Sequence, residues 1–164
     1  MIIIKEKWLG PTESDGANVL LRVDRFKLLK RRWRGKADDG EDFGFELDQP
    51  LSHGDTVYCK TNGKTMSCYV IEQEPETVLE IDFSDNLLMG LHVAWSIGNL
   101  HMPMQSLSDG VRVADDPAVR QLFAHLDVRF VETSAVFQPI RSSTDIGHSH
   151  DHSHDHAHGH DHSH

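Results

Sequence analysis

From His148 to His164 every second residue is histidine, and the positions between carry only Ser, Asp, Ala and Gly. A segment without one large apolar side chain cannot bury enough surface to offset the entropy of ordering its backbone. Residues 141–164, which open with the polar linker Arg141-Ser142-Ser143-Thr144-Asp145, are therefore expected to be disordered without a ligand. Any packed core must come from the residues before them, a length that accommodates one or two small domains.

The same alternation has a chemical meaning. Unprotonated imidazole offers an sp² nitrogen to a borderline ion such as Ni²⁺, Zn²⁺ or Cu²⁺. The nine candidate ligands are His148, His150, His152, His154, His156, His158, His160, His162 and His164. In an extended chain alternate side chains point the same way, roughly 7 Å apart. The small spacers let the backbone bend until neighbouring nitrogens reach the ~2.0–2.1 Å that a zinc bond requires, and nickel is similar. At three to four imidazoles per ion, the tail holds on the order of two or three ions. Each site in so flexible a segment is weaker than a rigid cage, which suits a carrier. Binding needs unprotonated rings, so uptake is expected to fall as pH drops toward roughly 6. A purification tag would be an uninterrupted run, and a purely solubilising or pH-sensing tail with this spacing would bind metal regardless.

Residues 1–74 alternate short apolar runs with turn signals, and the pattern predicts a small β-rich domain without helix. Strands are expected at residues 2–4, 19–23, 43–47, 56–59 and 67–71, with Asp38-Asp39-Gly40 as a turn and Asn62-Gly63 as a tight hairpin. Residues 27–34 read as a very basic strand. The cations Lys27, Lys30, Arg31, Arg32, Arg34 and Lys36 are either a docking patch for an acidic partner or the charge that keeps an edge strand from pairing with another sheet. Trp33, inside the run, is either an anchor or an inward-facing residue.

Residues 75–140 change pattern to strand, helix, strand, strand, helix, strand, the order of a ferredoxin-like split βαβ unit. Residues 77–83 alternate as a strand. Ser84 or Asp85 is placed to cap a helix whose apolar face is drawn from Leu87, Leu88, Leu91, Val93, Ala94 and Trp95, with Gly98 ending it. Residues 102–107 and 111–113 form the next two strands around Asp109-Gly110. Asp115 or Asp116 caps a second helix with Pro117 in its first turn and Val119, Leu122, Phe123 and Leu126 on its buried face. Residues 128–131 are the closing strand. The fold class is therefore α+β: a small β-rich N-terminal domain (1–74), a ferredoxin-like βαββαβ domain (75–140) and a disordered His-rich tail (141–164).

Formal net charge is −10, which argues against nucleic acid and anionic membranes as partners and favours cations near the surface. No apolar run is long enough for a membrane span, and Met1-Ile2-Ile3-Ile4 before Lys5-Glu6-Lys7 lacks the form of a signal peptide, so a cytoplasmic location is expected. In a reducing compartment Cys59 and Cys68, whose spacing matches no common zinc motif, are expected as free thiols, a disulfide being the minority reading.

The segment Ala94-Trp95-Ser96-Ile97-Gly98-Asn99-Leu100-His101-Met102-Pro103-Met104-Gln105 resembles the Ala-Tyr-His-Leu-Gly-Asn-Arg-His-x-Pro-x-Gln motif of the UreE family of urease accessory proteins. Arg31-Arg32-Trp33-Arg34, Asp39-Gly40-Glu41 and Leu51-Ser52-His53-Gly54-Asp55 resemble that family's N-terminal domain, and Phe137-Gln138-Pro139 its Phe-x-Pro ending. The resemblance implies a homodimer with a β-rich peptide-binding domain and a ferredoxin-like metal-binding domain. It implies delivery of Ni²⁺ to the urease apoprotein together with a GTPase and other accessory scaffold proteins. His101 then matches the family's metal-binding histidine, contributed by each subunit to one ion on a two-fold axis. The sequence departs from the pattern at Ser96, where many members have histidine, at Leu100, where arginine is usual, and at Ala114-Asp115-Asp116-Pro117, where some carry a His-x-His pair. Ligand chemistry is thereby shifted to His101 and the tail.

A carrier that delivers nickel and a cytosolic nickel or zinc buffer without a delivery partner are both open to such a chain. A metallohydrolase is disfavoured, because His-Glu-x-x-His and a Gly-rich phosphate loop are missing, the folded zones hold no compact His/Asp cluster, and no catalytic residue is assigned. His53, His92 and His125 have ordinary structural readings, and Met102 and Met104 read as packing residues.

Overall fold

In a computed structural model of the chain, residues 1–12, 18–63 and 65–140 are described; the alternating histidines of the tail lie outside them. The N-terminal part contains β1 (Ile2–Ile4), β2 (Val19–Val23), α1 (Arg25–Leu28), β3 (Arg32–Lys36), β4 (Asp42–Glu46), β5 (Thr56–Asn62) and β6 (Thr65–Gln73). They form two three-stranded sheets, β1-β4-β3 and β2-β6-β5. β1 runs parallel to β4 and β2 parallel to β6; the remaining pairs are antiparallel. Period-two alternation sends Phe43 and Phe45 inward, where Phe45 stacks on Trp33 with ring centroids 3.8 Å apart and Phe43 tilts against Tyr69. Leu21, Tyr69 and Ile71 complete this core. Trp33 is thus the inward-facing residue of its strand, and its indole N–H finds no acceptor among the described residues.

The sequence expectation fails here in two places. Residues 27–34 are not one strand: Arg25–Leu28 is a single helical turn, and the strand begins at Arg32. The Asp24 carboxylate accepts from the Lys27 N–H at 2.8 Å and caps that turn, which is too short to show periodicity. Cys59 and Cys68 are not free thiols but a disulfide with their Cα atoms 4.1 Å apart. The hairpin explains it. Asn62 pairs with Thr65 around a two-residue loop in which Gly63 takes φ +66°, and that register sets Cys59 directly opposite Cys68.

The C-terminal part contains β7 (Glu76–Asp82), α2 (Leu87–Asn99), β8 (Met104–Ser106), β9 (Gly110–Ala114), α3 (Pro117–Leu126) and β10 (Val131–Ala135). One antiparallel sheet has the order β10-β7-β9-β8, the interleaved arrangement of a split βαβ unit. The second core joins Leu79, Ile81, Val111 and Val113 from the sheet to Val93 and Ile97 of α2 and Val119 and Phe123 of α3. Asp116 caps α3 ahead of Pro117, and Leu122 and Leu126 pack on the core as expected. The N-cap of α2 is Asn86 rather than Ser84 or Asp85, α2 runs through Gly98 to Asn99, and the closing strand spans 131–135 rather than 128–131.

Residues 136–140 tie the two parts together. Phe137 is fully buried, its carbonyl accepts from Gln73 Nε2 at 2.7 Å, and the Arg25 guanidinium lies 5.0 Å from its ring centroid. Arg25 also makes a two-pronged ion pair with Glu76, at 2.7 and 3.0 Å. No helix among the described residues is long and apolar enough to cross a membrane.

Candidate metal centre

The site begins with the way α2 stops. Leu100 is its last half-helical residue, and His101 follows in the left-handed region at φ +54°. The His101 N–H reaches the Gly98 carbonyl at 2.9 Å and the Met102 N–H reaches the Ile97 carbonyl at 3.3 Å. This is a Schellman closure, whose left-handed position usually carries glycine. A β-carbon there costs roughly 1–2 kcal/mol. The accompanying apolar contact is present, because Met102 packs on the core that contains Ile97. His101 therefore stands, exposed, where backbone preference alone would select glycine, at the negative end of the helix dipole. That end favours a cation.

The outward face of α2 is apolar. Leu88 is 80%, Leu87 69%, Trp95 66% and Leu91 60% exposed. The expected buried face is thus corrected: only Val93 of the named large residues is buried, and the inward side is Gly90, Val93, Ser96 and Ile97. Leu87, Leu91 and Trp95 stand four residues apart along one stripe that leads toward His101. His92 is exposed beside Trp95, with ring centroids 6.3 Å apart.

Two of the places where the chain departs from the family motif, Ser96 and Asp115-Asp116, have structural employment. Ser96 is buried, and its hydroxyl donates to the His92 carbonyl at 2.8 Å, so this position faces the body of the protein. Asp115 binds Arg120 through both carboxylate oxygens, at 2.5 and 2.9 Å, and Arg120 holds its carboxyl below the usual carboxylate range. Asp116 is spent on the α3 cap. Met102 and Met104 are half-buried packing residues, as expected. His53 Nδ1 accepts the Gln73 N–H at 3.1 Å, and His125 sits in the last turn of α3. Among the described residues no three His, Cys, Asp or Glu side chains come together closely enough to hold a metal ion. Among the described residues His101 belongs to no such group.

A feature that sequence reasoning missed lies on the strand that follows His101. The Ile140 N–H donates to the Met104 carbonyl at 2.8 Å, and the Gln138 N–H donates to Gln105 Oε1 at 2.9 Å. The strap of residues 136–140 thus ends against β8, three residues beyond His101. A chain spans at most ~3.3–3.6 Å per residue, so the eight residues from Ile140 to His148 can cover up to roughly 26–29 Å. The aromatic and proline of Phe137-Gln138-Pro139 were the available signal.

Residues 76–164 match the family described as UreE urease accessory protein, C-terminal domain. The urease accessory protein UreE of Chelativorans sp. (strain BNC1) is 29% identical over 139 residues, 84% of this chain and 84% of that protein. That of Staphylococcus epidermidis is 32% identical over 132 residues, 79% of this chain and 83% of its own length. That of Ralstonia nicotianae is 27% identical over 122 residues, covering 74% of this chain and 56% of the longer relative.

Proposed function

The chain belongs to the UreE family of urease accessory proteins, which are chaperones of urease maturation and not enzymes, and from that premise we propose that it carries Ni²⁺ in the cytoplasm and delivers it to apo-urease. Nickel is cargo here. The tail histidines, His148 to His164, gather it, and His101 receives it on the folded body.

The observation that carries this reading is the end of α2: an exposed imidazole in a left-handed position, closing a helix whose outer face is apolar and standing three residues before the strand to which Ile140 is hydrogen-bonded. An apolar face of this kind on a folded domain is expected to meet another surface. Two copies packed through Leu87, Leu91 and Trp95 about a two-fold axis would bring two His101 rings to one ion, an isologous arrangement. Tail histidines would complete the coordination and, being flexible, would release the ion again. The proposed partners are a second copy of the chain and the urease apoprotein complex with its accessory GTPase and scaffold proteins.

The test is activation of apo-urease complexes by the nickel-loaded protein, compared with the same total nickel supplied free in the presence of a competing chelator. Delivery predicts faster and more complete activation by the loaded protein. Equal activation by both would favour a storage role and remove delivery from the account.

A further inference from the structure

Six cations fall between residues 27 and 36, in a chain of formal net charge −10. Among the described residues Lys7, Arg22, Arg25, Lys60, Arg112 and Arg120 each lie within 4.0 Å of a carboxylate. None of the six cations of this run does; outside it, the only other described Lys or Arg side chains left so are Lys5 and Arg129. Excess carboxylate elsewhere has not been spent on neutralising this one region.

The fold gives the run a surface. Along β3 the exposed Arg32, Arg34 and Lys36 alternate with inward Trp33. Arg34 pairs in register with Gly44 and so has no carboxylate opposite it; Arg32 and Lys36 stand opposite Glu46 and Asp42. Glycine at 44 makes room for apolar side chains from the neighbouring strand. A β-carbon there would lie 2.8 Å from Ile3 Cδ1 and 3.7 Å from Met1 Sδ. Met1 and Ile3 cover that backbone while remaining 67% and 48% exposed. They, the two arginines and Glu46 line a groove of about 290 Å³, and Lys27, Arg34 and Lys36, with Asp42, border the next depression along the sheet, so cations outnumber carboxylates in both.

We propose that this face of the β1-β4-β3 sheet docks an acidic polypeptide segment bearing an apolar side chain. The apolar side chain rests on Met1 and Ile3, and flanking carboxylates meet Arg32 and Arg34. Edge protection alone explains positive charge on β3 but not an exposed aliphatic floor beside it. Nucleic acid fits less well, because the aromatic rings here, Trp33 and Phe45, are buried and offer bases no stacking surface. This surface is separate from the nickel-binding end of α2 and does not depend on it.

The test uses the full chain with EDTA present and a fluorescein-labelled peptide of six glutamates flanking a Leu-Leu pair, followed by anisotropy at low salt. Binding is expected to weaken about tenfold or more in the Arg32→Ala/Arg34→Ala variant, whose circular-dichroism melt should match the parent. A peptide with glutamine for glutamate should lose binding similarly without altering the protein, and one with Ser-Ser for Leu-Leu should weaken by a few-fold. Carbodiimide coupling should join Lys27 or Lys36 to peptide carboxylates. The proposal is overturned by undetectable binding, by equal binding of the double variant or the glutamine peptide, or by tighter binding of a twelve-nucleotide oligouridylate. It is also overturned if the lysines couple instead to the tail aspartates or to a second copy.

Discussion

The two helices lie on the same sheet, yet they spend their apolar residues differently. α3 turns Val119 and Phe123 fully inward and packs Leu122 and Leu126 around them. None of its other positions carries a large apolar side chain. α2 buries Val93 and Ile97 against the same core but leaves Leu87, Leu88, Leu91 and Trp95 in solvent. A helix that is apolar on both sides has one side more than its own sheet can cover. The lesson is that the apolar residues of α3 are covered within one chain, whereas α2 keeps a second apolar face in solvent, and the proposed metal ligand follows the end of that helix.

The contrast can be attacked first through burial. Phe123→Ala should cost about 3–5 kcal/mol in urea unfolding, because it empties a filled core position. Leu88→Ser on α2 should change monomer stability by no more than about 0.5 kcal/mol. Comparable losses at both positions would erase the distinction. Next comes assembly: Leu91→Glu with Trp95→Glu should weaken self-association by about 100-fold in sedimentation equilibrium, since it places charge in the centre of the proposed contact. An unchanged association constant would move the dimer contact off α2.

A smaller effect separates backbone preference from metal chemistry. His101→Gly should stabilise the apoprotein by about 1 kcal/mol by removing the β-carbon from a left-handed position. The same change should remove nickel from the body. Lower stability with nickel retained would mean that His101 is there for packing. The smallest effect belongs to α3. Its Asp115 carboxyl is held below the usual range by Arg120, so the pair adds stability above roughly pH 4 and loses it as pH falls through the lowered value. Arg120→Ala should flatten that acid limb of the stability curve, and an identical limb in the variant would show that Asp115 contributes none of it.

Much of α3 was legible because its signals agree: an acidic cap, a proline in the first turn and apolar residues at helical spacing. α2 was legible as a helix but not as a surface. Its sequence is apolar nearly all round, so periodicity could not say which side its own sheet takes, and Gly98 looked like a stop although the left-handed position fell to His101. The one-turn α1 left no periodicity to read. The disulfide was missed because compartment argued for thiols and because a two-residue Asn62-Gly63 loop sets Cys59 across from Met66; Asn62 instead pairs with Thr65, and that later turn puts Cys59 across from Cys68. The candidate site was visible only as histidines, in the tail and at 101. The backbone hydrogen bond from Ile140 that holds the strap against β8 was signalled only by the Phe137-Gln138-Pro139 segment.

Calorimetric Ni²⁺ titration of the intact chain and of His101→Ala, with the mass of each species followed in parallel, bears most directly on the shared site. A ligand pair contributed by two chains predicts that the variant binds one ion fewer for every two chains, with the tail's capacity retained. A capacity unchanged by the substitution, or reduced by one ion in every single chain, would contradict it.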